Sequence, residues 1–142
     1  MTLVIALGNP LREDDGAGWA VARALRRAGD LRVLVVHQLT PELADEVSRA
    51  DAVVFVDARR GGPAGELRTV AVSPEGAFAE HGLTHVLDPA TLLRYAQVLY
   101  GRAPKAWLVS IAGERFGLGD TLSGSVERTV PAAARRIRAL AR

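Results

Sequence analysis

The sequence predicts an α/β fold, in the form of a single-domain, three-layer sandwich. We expect a mostly parallel, five-stranded twisted sheet with one antiparallel strand and helices on both faces. Short segments rich in Val, Ile and Leu alternate along the chain with amphipathic helical patterns, which is typical of this class. The chain of 142 residues is long enough for one domain, residues 1–142, to bury its own core.

Strands are predicted where the chain is almost continuously apolar, as strands buried on both faces of a parallel sheet are. The segments predicted to be parallel are Thr2 to Leu7, Arg32 to Val36, Ala52 to Val56 and Lys105 to Ile111. The segment Glu66 to Val72 is also strand-like, but only eight residues separate it from Asp57. Because a parallel crossover needs about a dozen residues or more, we expect this strand to be antiparallel.

Helices are predicted between and after these strands. The first is predicted from apolar residues at helical spacing, which are Ala17, Val21, Ala24, Leu25 and Ala28. The second and third are predicted to begin at Thr40-Pro41-Glu42 and at Asp88-Pro89, where an N-cap residue precedes a proline. A last helix is predicted from about Ser123 to Leu140.

The composition of the chain excludes several kinds of active site and binding partner. The chain has no cysteine, so disulfides, thiolate metal ligands and cysteine nucleophiles are excluded. The formal net charge is only +2, which does not indicate nucleic acid as a partner. No apolar stretch reaches the ~20 residues of a membrane span, and the first residues lack a signal-peptide pattern. We therefore expect a cytoplasmic protein whose partner is neither nucleic acid nor a membrane.

Three potential metal ligands are expected at one edge of the sheet. The first strand breaks at Gly8-Asn9-Pro10 and leads to the carboxylates Asp14 and Asp15, while Asp57 directly follows another strand. An antiparallel strand at Glu66 to Val72 requires a return segment, Ser73 to Leu87, which brings His85 to the same edge. Ligands bind at the carboxyl ends of the strands in open α/β sheets. Two carboxylates and an imidazole suit Zn, Ni, Co or Mn.

Each of these residues also has a structural interpretation. Asp14 fits an N-cap, Asp15 a first-turn residue favoured by the helix dipole, Asp57 a turn cap and His85 an exposed loop residue. Other polar residues are weaker candidates: His37 as a residue behind the ligands, and Arg59 and Arg60 as carboxylate binders or partners in surface salt bridges. Ser123 and Ser125 are interpreted as the start of the last helix, since neither lies in a G-x-S-x-G motif.

The opening segment resembles a known family. The residues from Leu7 to Gly18, Leu-Gly-Asn-Pro-Leu-Arg-Glu-Asp-Asp-Gly-Ala-Gly, are similar to the signature of the hydrogenase maturation endopeptidases, which trim the C-terminal tail of nickel-iron hydrogenase large subunits. Further segments follow in the family's order, and the resemblance covers essentially the whole chain. These segments are Gln38 to Ala44, Val53 to Ala58, Thr84-His85 and Thr121 to Ser123.

The resemblance implies that Asp15, Asp57 and His85 form the metal-binding and catalytic core, with His81 a competitor for the role of His85. It implies that the metal is nickel supplied by the substrate, a hydrogenase large-subunit precursor, although another divalent metal such as Zn can take its place in vitro. Gly8, Asn9 and Gly16 are expected to shape the turn that presents the first carboxylate, with Asp14 in support. No oligomeric state is predicted.

Two alternatives stay open at this point. Peptidyl-tRNA hydrolases share Leu7-Gly8-Asn9-Pro10 and the general architecture. Their motif continues with a histidine-asparagine pair, in place of which this chain has Arg12-Glu13-Asp14-Asp15. Acidic residues at the site entrance are unfavourable for binding tRNA. A non-catalytic nickel-binding chaperone, or a degenerate relative that kept the fold, is the second alternative.

Overall fold

The computed structural model of the protein describes residues 1–26, 29, 31–76 and 87–142. Strands and helices alternate as the sequence predicts. In chain order the elements are β1 (Thr2–Leu7), a 3-10 turn (Glu13–Gly16), α1 (Ala17–Leu25), β2 (Arg32–Val36), α2 (Leu43–Arg49), β3 (Ala52–Arg59), β4 (Leu67–Val72), a second 3-10 turn (Pro74–Gly76), α3 (Pro89–Tyr100), β5 (Lys105–Ala112) and α4 (Gly124–Leu140).

The five strands form one sheet in the order β2-β1-β3-β5-β4. The pairs of β1 with β2, β1 with β3 and β3 with β5 are parallel, and β4 is antiparallel to β5. The prediction of a mostly parallel sheet with one antiparallel strand is therefore confirmed. The short connection after β3 carries the chain to the edge strand β4, and α3 then leads to β5, which lies between β3 and β4.

Two apolar cores lie on opposite faces of the sheet, so the three-layer prediction is also confirmed. One core contains Val54 and Val56 of β3 together with residues of α1 and α4. The other contains Val53 and Phe55 together with residues of α2 and α3. The alternation arises because successive side chains of a strand point to opposite faces. None of the helices in the described part of the chain is long and apolar enough to cross a membrane.

Several element boundaries differ from the prediction. β3 continues through Asp57 to Arg59, because β5 keeps pairing with it as far as Ala112 after β1 has ended. α2 begins at Leu43 rather than Thr40, since bonds from Leu43 N to Thr40 O and from Ala44 N to Pro41 O form a tight turn before the helix. Asp14 and Asp15 lie in a 3-10 turn that precedes α1, not in the helix itself.

The connections define a switch point in the sheet. The crossover through α1 leads from β1 to β2 on one side, and the crossover through α2 leads from β2 past β1 to β3 on the other side. The loops leaving β1 and β3 therefore diverge above a crevice between their carboxyl ends. Such crevices are the usual ligand sites of open α/β sheets.

Candidate functional site

Asp15 and Asp57 lie near each other at the switch point. Asp57 is the first residue of β3 beyond the pairing with β1, which ends at the pair Ala6 and Val56. Asp15 reaches the same place from the 3-10 turn after β1. The charge of Asp15 is close enough to raise the pKa of Asp57. The structure thus brings together two of the three predicted ligands.

The turn between β1 and Asp15 depends on a glycine. Gly8 has φ +134°, and a Cβ atom at this residue would lie 2.0 Å from the backbone oxygen of Asp15. The Asn9 backbone N–H donates to Asp15 Oδ2 at 2.9 Å, while Asn9 Oδ1 accepts from the Leu11 N–H at 2.9 Å. At Gly16, a Cβ atom would lie 2.9 Å from Pro10 Cα. These contacts place Gly8, Asn9 and Gly16 in the tight turn that precedes and includes Asp15.

Asp57 has the electrostatic character of a functional carboxylate. Burial raises its pKa, the hydrogen bond from the Ala58 N–H at 2.8 Å opposes that shift, and the nearby charge of Asp15 adds to it, so that the pKa rises to about 7. A carboxylate that is destabilised by burial and by a like charge is favourable for binding a cation or for moving a proton. The alternative role of Asp57 as a turn cap is not what the structure shows, because the residue lies inside β3.

Asp14 has a different role from its neighbour. Its side chain is fully buried and does not cap α1, whose N-cap is Gly16. Instead it accepts hydrogen bonds from the N–H groups of Glu114, Arg115 and Ser123, at 2.8, 2.9 and 2.7 Å, and from the Ser123 hydroxyl at 2.7 Å. Burial acts to raise the pKa of Asp14, but these hydrogen bonds together outweigh it and lower the pKa. Asp14 is therefore a structural carboxylate that joins two loops.

The two histidines of the predicted return segment, His85 and its competitor His81, lie outside the described residues. The chain is described again from Leu87, which forms an isolated antiparallel bridge with Leu39. Leu39 and Leu87 pack in the core that contains Phe55, on the side of the sheet to which Asp57 also belongs by strand alternation. The third histidine, His37, is exposed and packs against Trp19, with the ring centroids 5.1 Å apart.

The two arginines after Asp57 differ in their contacts. Arg59 forms an ion pair with Glu66, and its Nη1 donates to Ser110 Oγ at 2.9 Å and to Ser110 O at 3.0 Å. Arg60 places its guanidinium 4.1 Å from the centroid of the Phe116 ring. Of the two interpretations drawn from the sequence, Arg59 fits the salt bridge, with the arginine side chain largely buried and that of Glu66 40% exposed. Arg60 forms a cation–π contact instead.

Residues 113–123 form a loop over this edge that the sequence reasoning missed. Its backbone supplies the amide donors to Asp14 and lies beside Glu13. Asp14 and the residues that donate to it are about a hundred residues apart in the sequence. The only local signal was the run of Asp14 and Asp15, which gives no indication of which of the two carboxylates faces inward.

The arrangement supplies two oxygen ligands and an open surface. Among the described residues no group of three or more His, Cys, Asp and Glu side chains is placed to hold a metal. Two depressions, of about 260 and 420 Å³, lie at the opposite edge near Met1, and neither is lined by Asp15 or Asp57. Asp15 and Asp57 thus place two carboxylate groups near each other at the carboxyl ends of the strands.

Comparison with solved structures identifies the fold. The chain matches a [NiFe] hydrogenase maturation protease HybD from Thermococcus kodakarensis with 26% identity and a TM-score of 0.76, covering 99% of each chain. A [NiFe] hydrogenase maturation protease HycI from Thermococcus kodakarensis matches with 25% identity and a TM-score of 0.77, over 96% of this chain and 88% of that one. This chain resembles the hydrogenase maturation proteases throughout its length.

The resemblance to hydrogenase maturation proteases that the opening motif indicated is thereby confirmed. The hydrogenase maturating endopeptidase HybD from Escherichia coli has the same fold, with 22% identity and a TM-score of 0.76 over 98% of this chain and 90% of that one. No protein-family model and no curated protein sequence matches the chain. The similar structures are named as proteases or endopeptidases of hydrogenase maturation, which supports a protease.

Proposed function

We propose that this protein is an endopeptidase that removes the C-terminal extension of a nickel-iron hydrogenase large-subunit precursor after nickel has been inserted. The observation that carries the proposal is the pair Asp15 and Asp57 at the switch point of a fold that matches hydrogenase maturation proteases over 99% of the chain. In this proposal Asp15, Asp57 and His85 contact the nickel ion that the precursor carries. The reaction takes place in the cytoplasm, without nucleic acid or a membrane.

The chemistry of the pair fits a divalent cation. Burial and the charge of Asp15 both disfavour ionised Asp57, and a cation between the two carboxylates would remove that penalty. Carboxylate oxygens with one imidazole suit Ni, and they also suit Zn, which we expect to bind in vitro. His85 supplies the imidazole in this proposal. Support for its participation comes from Leu87, two residues later, which bridges to Leu39 on the side of the sheet that carries Asp57.

A bound divalent ion would supply Lewis-acid polarisation of the scissile carbonyl or of a water. The residues of this chain orient the groups that take part in the reaction. The Asn9 N–H donates to Asp15 Oδ2, and no residue in the described part of the chain donates to Oδ1, which we propose faces the partner. The pKa of about 7 that burial and Asp15 give to Asp57 belongs to the free protein, since a bound cation would lower it. We propose that a carboxylate of this pair accepts the proton of the attacking water.

The proposal predicts cleavage that depends on both nickel and the two carboxylates. The purified protein should trim a cognate precursor loaded with nickel, but not the nickel-free form, with tail removal followed by mass spectrometry. Asp15→Asn and Asp57→Asn should each slow trimming at least tenfold while the circular dichroism spectrum is retained. The control Asp51→Asn changes an exposed carboxylate at the opposite edge and should trim normally.

Two outcomes would contradict this proposal. Trimming of the nickel-free precursor at an equal rate would remove nickel from the recognition. A protein that binds the loaded precursor or nickel without any trimming would instead favour the metal-binding chaperone or the degenerate relative.

A further inference from the structure

Two leucine side chains next to the carboxylate pair are exposed to an unusual degree. Leu11 is 64% exposed and Leu118 is 82% exposed. They come from different loops, yet they lie side by side, because Arg12 and Gly119 form a parallel bridge and the two leucines are the residues that precede it on each loop. We call Leu11 and Leu118 the leucine platform. Burial of exposed leucine side chains is favourable, so this platform is a suitable surface for an apolar partner.

The leucine platform is held in place by its backbone. The Gly119 N–H donates to Leu11 O at 3.0 Å, and the Glu13 N–H donates to Gly119 O at 2.9 Å. Glu13 Oε1 also accepts from the Gly117 N–H at 3.0 Å. The buried side chain of Asp14 joins the same two loops. The exposure of both leucines is therefore a property of a braced structure and not of a free loop end.

The platform is continuous with the candidate site. Leu11 lies four residues before Asp15, and the Asp15 N–H donates to Arg12 O at 3.2 Å. A partner that presents a cation to Asp15 therefore meets the platform with the residues next to that cation. Since Asp15 and the platform are attached to one 3-10 turn, they are fixed relative to each other.

Charged side chains of both signs lie at the end of the sheet that carries the platform. Arg12, Arg60 and Arg115 are exposed, and so are Glu114 and Asp120 on the loop of Leu118. Arg115 is near Glu13, with Nε 3.4 Å from Oε2. An apolar centre with a polar and charged rim is typical of a surface that binds another polypeptide.

We propose that the leucine platform docks the substrate polypeptide, specifically an apolar segment of the precursor that lies beside its metal centre. This inference rests on the proposed function and adds the surface that selects the polypeptide. The carboxylate pair meets the cation, and the platform binds the chain around it. The platform therefore sets the affinity for the precursor polypeptide, while the carboxylate pair sets the affinity for the metal.

The chain offers a closely matched control at its other end. Leu99 is 63% exposed and Val98 is 73% exposed, at the carboxyl end of α3. That end of the helix leads into the start of β5, at the edge of the sheet opposite to Asp15 and Asp57. Replacing these two residues removes a similar exposed apolar surface without touching the proposed docking surface.

The test compares two double variants with neutral polar replacements, so that no charge is added near the carboxylates. For Leu11→Asn/Leu118→Asn we expect kcat/KM for the nickel-loaded precursor to fall at least tenfold, chiefly through KM, and precursor binding to weaken by a similar factor. Binding of Ni²⁺ alone, measured by calorimetry, should stay within twofold of the parent. For Val98→Asn/Leu99→Asn we expect all three quantities to match the parent.

The outcomes separate this inference from the proposed function. If the parent trims the precursor and both double variants do so equally well, the docking role is wrong while the endopeptidase proposal stands. If the parent binds the precursor without trimming it, and only the platform variant loses binding, the docking role holds and the endopeptidase proposal fails. A parent that neither binds nor trims the precursor overturns both. Loss of Ni²⁺ binding in the platform variant would also overturn the docking role.

Discussion

Replacing Asp14 by alanine should lower the free energy of unfolding by about 3–5 kcal/mol. The substitution removes a fully buried carboxylate and leaves the N–H groups of Glu114, Arg115 and Ser123, with the Ser123 hydroxyl, without their acceptor. Buried donors that lose their partner cost about 1–3 kcal/mol each, and water entering the gap recovers part of this. Urea unfolding followed by circular dichroism measures the change.

Two further variants test whether the lost hydrogen bonds cause the expected loss of stability. Asp14→Asn keeps one carbonyl oxygen but turns an NH₂ group toward at least one of the donors, so its loss should lie between those of the parent and the alanine variant. Asp120→Ala removes an exposed carboxylate from the same loop and should change the free energy of unfolding by less than about 0.5 kcal/mol. Equal stability of Asp14→Ala and Asp120→Ala would show that the buried network contributes nothing.

The contribution of Asp14 should also depend on pH with a definite sign. Its pKa is lowered in the folded state, so the ionised form stabilises the fold above the unfolded pKa of the residue. This stability is lost as the pH falls through the folded pKa. The difference between the parent and Asp14→Asn should therefore be constant at neutral pH and shrink in acid.

The sequence was sufficient to predict the sheet because its strands satisfy local rules. Continuous apolar segments and the short connection after Asp57 led to the parallel strands and to the antiparallel β4. The Asp88-Pro89 helix start is confirmed in detail, since Asp88 Oδ1 accepts from the Thr91 N–H at 2.7 Å. The starts of α1 and α2 were misplaced because each is preceded by a tight turn, which the residue pattern does not distinguish from a first helical turn.

The proximity of Asp15 and Asp57 follows from topology and could be predicted, whereas contacts between residues distant in sequence could not. Asp15 and Asp57 meet because they follow adjacent parallel strands. The separation of Asp14 from Asp15 depends on the loop of residues 113–123, which lies about a hundred residues away and carries no local motif. The place of His85 stays a prediction. The extension of β3 past Asp57 could be found only from the length of β5.

The second prediction with a large effect concerns how Asp57 makes the stability of the metal-free protein depend on pH. Its folded pKa of about 7 lies above the ordinary value of 3.8, so the folded state binds the proton more tightly than the unfolded chain does. Between these two values the folded state carries more protons, and stability must fall as the pH rises. A shift of about three pKa units corresponds to at most about 4 kcal/mol. This stability is fully present below the unfolded pKa and is lost as the pH rises through 7.

Asp57→Asn should therefore be more stable than the parent at pH 8, and the gap should narrow as the pH falls below 7 and close only near the unfolded pKa of 3.8. Urea unfolding in EDTA across this range measures both proteins. Asp15→Asn supplies the internal test, because burial is the larger cause of the shift and the charge of Asp15 the smaller one. In that background the midpoint of the Asp57 effect should move down in pH without reaching the ordinary value. A parent and an Asp57→Asn variant with parallel pH profiles would contradict the argument that Asp57 is held at a cost to stability.

Asp14 and Asp57 thus predict opposite pH signatures from carboxylates at one edge of the sheet. Asp14 has its charge fully hydrogen-bonded, so that ionisation supports the fold. Asp57 has its charge opposed by burial and by Asp15, so that ionisation weakens the fold. A carboxylate that destabilises the free protein gains the most from a cation. Adding Ni²⁺ should therefore reduce the loss of stability that the parent shows between the two pKa values of Asp57, 3.8 and about 7, and leave the profile of Asp57→Asn almost unchanged; an equal effect on both would show that the cation binds elsewhere.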